Sequence, residues 1–271
     1  MTIATIGLLD DEQITLDLAA LALSELDHPG TDLELYASLL QDISSRLADD
    51  GADATRPADQ AAVLAKVLHE EFGFKGDVES YDAPLNGDLI RVLDRRQGLP
   101  VSLSILYVAA ARRVGWTADP LNTPGHVLVR LGGDDAVVID PFNGGAIVRP
   151  EQLLALLGRA AAAGVAVSAE QSGPMSNRNT LVRLLMNQAM RAESANDPGR
   201  AMTIYQRMTL VAPSNPDGWW SLARLQLTAG HIDPARKSLS AMLEITRDPE
   251  RREVITSVLE QISGAWRLAR R

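Results

Sequence analysis

Apolar residues recur every three or four positions along the first fifty residues: Leu16, Leu18, Leu21 and Leu23, then Leu33, Tyr36, Leu39, Leu40, Ile43 and Leu47. That spacing predicts two amphipathic helices, over 10–26 and 32–49, separated by His28, Pro29 and Gly30. A polar loop from Asp49 to Asp59 leads to a third helix, Ala61 to Phe72, and then to a turn-rich stretch over 74–88. Asp88 is placed to cap a short helix by accepting from its first free backbone N–H groups. The run 98–115 is apolar almost throughout and reads as a buried helix opened by Gly98, Leu99 and Pro100. The period then changes to two. Val127, Val129 and Leu131 alternate, Gly132 to Asp135 form a turn, and Ala136 to Ile139 return, which is a hairpin signal. Ile147 and Val148 offer a further strand, and Pro150 with Glu151 opens another helix. This half is expected to be α+β, helices packed on a small antiparallel sheet, over residues 1–167, with 168–178 as a linker.

From 179 to 271 the pattern is helical and repeats itself. Placing Ala201 on Ala235 sets a 34-residue offset that matches Tyr205 with Leu239, Met208 with Met242, Val211 with Ile245, Ala189 with Ala223 and Asn196 with Gly230. A 34-residue helix–turn–helix with small residues at fixed places is the tetratricopeptide pattern, and the small residues let paired helices approach closely. Trp219 and Leu222 are expected between units, and 253–268 (Val254, Val258, Leu259, Ile262, Trp266) as a capping helix. Two repeats are fewer than such arrays need alone, so this one is expected to lean on the front domain.

Composition narrows the chemistry. The chain contains no cysteine, which excludes disulfides, thiolate-bound zinc and a thiol nucleophile within it. A net charge of −9 argues against direct nucleic-acid binding. That charge is uneven: residues 179–271 hold 13 basic and 9 acidic side chains, leaving 13 and 26 for 1–178. No signal-peptide core or membrane-length apolar run is present, so a cytoplasmic location is expected. GxSxG, HExxH and phosphate-loop motifs are absent, and neither a cofactor nor a metal is expected; the remaining histidines, His28, His69 and His231, fall in separate helical contexts.

The candidate chemistry is a histidine and an aspartate. His126 opens one strand of the hairpin after a Pro124–Gly125 turn, and Asp140 ends the next before Pro141, so the carboxylate can bond the ring and set its tautomer. Such a pair serves a thiol or hydroxyl placed at a helix start, where the dipole and free N–H groups favour an anion. The residue at that start is Pro100, which carries no nucleophile. Ser102 lies about 200° further round the helix and is expected to face elsewhere. Two readings stand: a dyad retaining chemistry through Ser102 or water, or a satisfied pair that braces the hairpin.

The segments NGDLIRVLDRRQGLPVSLSILYVAAARRVG (86–115), NTPGHVLVRL (122–131) and IDPFNGG (139–145), followed by the repeats, resemble the bacterial SirB-type family over roughly residues 10–245. The resemblance implies a papain/transglutaminase-like fold followed by an all-α tetratricopeptide segment, with members described as regulators of a neighbouring transcription factor's expression. By residue it aligns His126 and Asp140 with the family's histidine and aspartate, and Asn86, Arg96 and Gly98 with its N…L..VL..R.G stretch. It also implies proline where active transglutaminases carry cysteine. The expected function is a non-catalytic protein- or peptide-binding module. Its cleft would hold Asn86, Arg96, Pro100 and Gly125 beside the dyad, and its repeat groove Arg191, Trp220 and Arg224. The alternative is a hydrolase or acyl-transfer enzyme with altered chemistry.

Overall fold

A computed structural model of the chain describes residues 2–162 and 173–269. They fall into two compact units, one over Leu9–Leu184 and one that joins Ile3–Leu8 to the chain from Leu185 onward. The first helix, α1 (Ile3–Leu8), therefore belongs with the repeats, and nothing in the periodicity of so short a segment foretold it.

In the first unit, α2 (Leu16–Glu25), α3 (Leu33–Asp50), α4 (Pro57–Leu64), α5 (Leu89–Arg95) and α6 (Pro100–Arg113) follow in order. The helix expected over 10–26 starts late, because Asp11–Gln13 form a separate 3-10 turn. The third starts early, with Pro57 in its first turn, and passes into a π-helical segment over Ala65–Glu71. Asp32 caps α3 and Asp88 caps α5, each accepting from backbone N–H groups. Every residue of α6 from Pro100 to Ala111 is buried, which is why its sequence is apolar on all faces. It is charged only at its end, where Arg112 and Arg113 complement the helix dipole. Arg113 also pairs with Asp17, which is fully buried; burial pushes that carboxyl up and Arg113 opposes the shift.

Two short strands, β1 (Lys75–Gly76) and β2 (Gln97–Gly98), pair in parallel. The main sheet is antiparallel in the order β3 (Ala118–Thr123), β4 (His126–Leu131), β5 (Val137–Asp140), β6 (Ala146–Ile147), with α6 against β3 and β4. Helices on a small antiparallel sheet are the expected α+β class. β3 was not anticipated: ADPLNT has Asp, Pro and Asn where strand propensity is poor. Its register with β4 supplies what propensity lacks, setting Pro120 opposite Val129 and Thr123 opposite His126. After β6 comes α7 (Pro150–Ala162), amphipathic and, among the residues whose burial is described, without a fully buried one.

Of the expected linker 168–178, residues 168–172 lie outside the described residues. The remainder is not free chain. Asn122 N–H donates to the Gly173 carbonyl, Met175 N–H donates to the Pro120 carbonyl, and α8 (Asn177–Ser194) has already begun at the end of the stretch.

The second unit continues with α9 (Pro198–Val211), α10 (Pro216–Thr228), α11 (Ile232–Ile245) and α12 (Pro249–Ala269). The repeat is met in space. Ala189, Ala201, Ala223 and Ala235 are all buried, the small residues the pattern demands. The matched turn residues Asn196 and Gly230 both take left-handed backbone, at φ 56° and 75°. Ala223, Leu239, Met242 and Ile255 form a core cluster with Trp219, Trp220, Val258, Leu259 and Ile262 packed on it. On α12 Ile255 is buried, whereas Val254, one of the apolar residues named for the capping helix, is 53% exposed. The Trp266 side chain lies outside the described residues. α1 packs on α9, and Gly7 permits the contact: a Cβ there would lie 2.1 Å from the Leu210 carbonyl oxygen.

Candidate functional site

Pro141 ends β5, having no N–H to continue the ladder, and Asp140 caps the 3-10 turn Pro141–Asn143 that follows. The Asp140 carboxylate is almost fully engaged. Oδ1 accepts from Phe142 N–H at 3.0 Å and from His126 Nε2 at 2.9 Å, while Oδ2 accepts from Asn143 Nδ2 at 2.6 Å. Burial alone would push this carboxyl up; the bond from His126, its charge and the bonds from Asn143 outweigh it and hold Asp140 below the usual carboxylate range. Donation from Nε2 sets the tautomer: in the neutral ring the lone pair falls on Nδ1, which has no hydrogen-bond partner among the described residues. The hairpin thus brings together the two residues that sequence singled out, 14 positions apart.

The ring is held from several sides. Gly125, at φ 76°, turns the chain into β4, and Thr123 Oγ1 donates to the His126 carbonyl at 2.9 Å. The Phe142 ring meets the imidazole edge-on with centroids 5.8 Å apart, and Tyr81 meets Phe142 in the same manner at 5.7 Å. Phe142 itself lies on Gly76 of β1, where a Cβ would come within 2.6 Å of three ring carbons. Behind Asp140, Gly144 and Gly145 turn at φ 69° and 79°. A side chain at Gly144 would strike His69, and one at Gly145 would crowd Tyr107 and Ala65. The IDPFNGG segment is therefore a tightly nested corner. The buried Tyr107 hydroxyl has no hydrogen-bond partner among the described residues, and burial, then the Asp140 charge, push its phenol well up.

The other expected residues do different work. Asn86 is fully buried and braces the turn: its Nδ2 donates to the Ser80 carbonyl at 2.7 Å, and its Oδ1 accepts from Arg95 Nη1 at 2.8 Å. Arg95 also reaches Asp77 at 2.7 Å. Arg96 takes left-handed backbone at φ 60° and lays its guanidinium over the Phe74 ring, 4.9 Å from the centroid. Pro100 is the buried first residue of α6. Ser102 is fully buried and donates to the Asn86 carbonyl at 2.7 Å, and Ser104 donates to the Val127 carbonyl at 3.1 Å. Ser102 thus shares no hydrogen bond with His126.

A cleft of about 500 Å³ opens beside the dyad. His126, Asp140 and Asn143 line it, together with Ala146, Ile147 and Val148 from the sheet edge and Gln152, Ala155, Leu156 and Arg159 from α7. None of Asn86, Arg96, Pro100 and Gly125 lines this cleft, whose further walls come from β6 and α7. The amphipathic run after Pro150 was the available signal. Among the described residues no group of three or more His, Asp and Glu side chains is placed to hold a metal ion, and no helix is long and apolar enough to cross a membrane.

In the repeats, the residues expected to line a groove already have intramolecular roles. Arg224 pairs with Glu193 at 2.5 Å, and Glu193 also accepts from the Tyr205 hydroxyl at 2.8 Å. Arg191 donates to the side chain and carbonyl of Asn187, and Trp220 packs on the core cluster.

Comparison with known proteins agrees with this architecture. Residues 34–186 match the model of the transglutaminase-like superfamily, and residues 192–256 match that of the tetratricopeptide repeat. A UPF0162 protein of Xylella fastidiosa (strain 9a5c) is 28% identical over 264 residues, covering 96% of this chain and 94% of that one. A UPF0162 protein of Pseudomonas aeruginosa is 30% identical over 223 residues, 82% of this chain and 79% of that one. F-box only protein 21 of Mus musculus is 38% identical over 78 residues, 28% of this chain and 12% of that one. With its helix-on-sheet unit, its His126–Asp140 corner and its repeats, the chain belongs to the transglutaminase-like superfamily and is a relative of the bacterial UPF0162 proteins.

Proposed function

We propose that this chain is a non-nucleophilic transglutaminase-like protein that binds a peptide segment in the cleft beside His126 and Asp140 and engages a protein partner through its repeats. The observation that carries the reading is the state of α6: it opens on Pro100, and its first hydroxyl, Ser102, is buried and donated to the Asn86 carbonyl. Covalent acyl transfer needs a thiol or hydroxyl that the histidine can deprotonate, and no cysteine exists in the chain. A cleft of about 500 Å³ is within the range of ligand sites, and solenoid surfaces of this type accept extended segments. The test pairs two measurements on the full chain. Incubation with a glutamine-containing peptide and a primary amine is expected to release no ammonia, whereas peptide titration is expected to perturb the His126 ring resonances. Ammonia release that disappears in His126→Ala would overturn the reading.

A second reading rests on the Nδ1 lone pair. With Asp140 orienting the ring, His126 is arranged as a general base toward a water in the cleft, without Ser102. It predicts hydrolysis of a peptide or ester that His126→Ala abolishes with the fold intact.

A further inference from the structure

The cleft is not uniform, and its polarity specifies a ligand. On the side of β4 and the Asp140 turn the open polar atoms include two acceptors. His126 keeps the Nδ1 lone pair because Nε2 donates to Asp140, and Asn143 keeps Oδ1 because its Nδ2 donates to Asp140. On α7 they are donors. Gln152 uses Oε1 to accept from Arg149 N–H, which leaves its Nε2, and Arg159 has no acidic partner among the described residues. The same cleft is lined by the aliphatic side chains of Ile147, Val148, Ala155 and Leu156. Gln152 and Arg159 sit seven positions apart on one stripe of α7, about 10 Å along its axis. No residue of that helix whose burial is described is fully buried.

Acceptors, aliphatic walls and a cation in one cleft match a unit bearing an N–H, an apolar side chain and a carboxylate on a single carbon. Resting on the reading of the cleft as a peptide site, we propose that its ligand is the C-terminus of a polypeptide ending in an aliphatic residue. The terminal carboxylate would pair with Arg159, assisted by Gln152. The last side chain would lie on Ile147 and Leu156, and the last amide N–H would point to Asn143 and His126. An internal aspartate or glutamate supplies the carboxylate but not the aliphatic group beside it. A bare fatty acid supplies no N–H.

The test titrates the full chain, observed by NMR, with three probes: N-acetyl-Gly-Gly-Leu as free acid, the same peptide as C-terminal amide, and N-acetyl-Gly-Asp-Gly-amide. The free acid is expected to bind at least about tenfold more tightly than either amide, the scale of one charge-assisted hydrogen bond. Arg159→Gln is expected to lose that factor toward the acid while changing the leucine amide less than about twofold, and Arg159→Lys to recover part of it. Leu156→Asp, checked for retained helicity, is expected to weaken both leucine peptides. Equal binding of acid and leucine amide, or an Arg159→Gln variant that binds the acid unchanged, would sink the terminal-carboxylate inference and leave the peptide cleft standing. The aspartyl amide matching the acid would sink the chain-end assignment in the same way. If no peptide shifts the His126 or α7 resonances of the folded protein, the peptide-cleft reading fails as well.

Discussion

Asp140 is the residue on which the corner depends. It caps one turn, orients one ring and fixes one amide, and its carboxyl is held below the usual range by those same bonds. A group whose folded pKa is depressed stabilises the protein fully above its unfolded value, about 3.9, and that contribution is lost as pH falls through the lower folded value. Asp140→Asn is thus expected to unfold at lower denaturant than wild type at pH 7, with the gap narrowing as pH falls from about 5 to about 2; a gap independent of pH would show that the carboxylate charge contributes nothing. Gly76 poses the complementary question of shape. Alanine there must displace the Phe142 ring, since its Cβ would lie 2.6 Å from the ring, and overpacking of this kind costs about 1–3 kcal/mol. Combining Gly76→Ala with Phe142→Ala is expected to cost less than the two single losses added, and strict additivity would mean that the contact carries no coupling.

Among the elements, legibility followed the strength of the local pattern. The buried helix α6, the β4–β5 hairpin and the 34-residue repeat were readable because each is written in side chains that must be apolar or small: Val127, Val129 and Leu131, or Ala189, Ala201, Ala223 and Ala235. β3 was not readable. Asp119, Pro120 and Asn122 are extended only because β4 on one side and residues 173–175 on the other accept and donate to them, a tertiary cause invisible to propensity. The site divided along the same line. His126 and Asp140 declared themselves by type and spacing, whereas Asn86 braces a turn, Arg96 lies over the Phe74 ring, and the walls on α7 lacked any chemical signature beyond amphipathicity. The repeat turns offer a test at this scale. Gly230 has φ 75°, and its mate Asn196 tolerates φ 56° through the short polar side chain that suits left-handed backbone. Gly230→Ala is expected to cost about 1 kcal/mol in equilibrium unfolding and Gly230→Asn measurably less. Equal losses would mean that the turn conformation is not what limits the position.

Over the whole molecule, sequence order and spatial membership part company at the N-terminus. Ile3–Leu8 precede the transglutaminase-like unit in the chain yet pack on α9, so the helical repeats gain an extra helix from the opposite end of the sequence. Two repeats are fewer than such arrays need on their own, and α1 is one physical answer to that shortfall. The contact is close enough to be tested with a single methyl group. At Gly7 a Cβ would lie 2.1 Å from the Leu210 carbonyl oxygen, which is backbone and cannot swing aside, so Gly7→Ala must push α1 off α9. Ile6, fully buried in that contact, would be exposed with it. Loss of one large buried aliphatic side chain is worth about 1.5–3 kcal/mol. Hydrogen exchange is the suitable measurement, because it reports opening unit by unit. In Gly7→Ala the amides of α1 and α9 are expected to exchange faster, with protection in α3, α6 and β4 unchanged. A uniform loss of protection in both units would show that they open as one cooperative body. No change in either would show that α1 contributes nothing to the stability of the repeats.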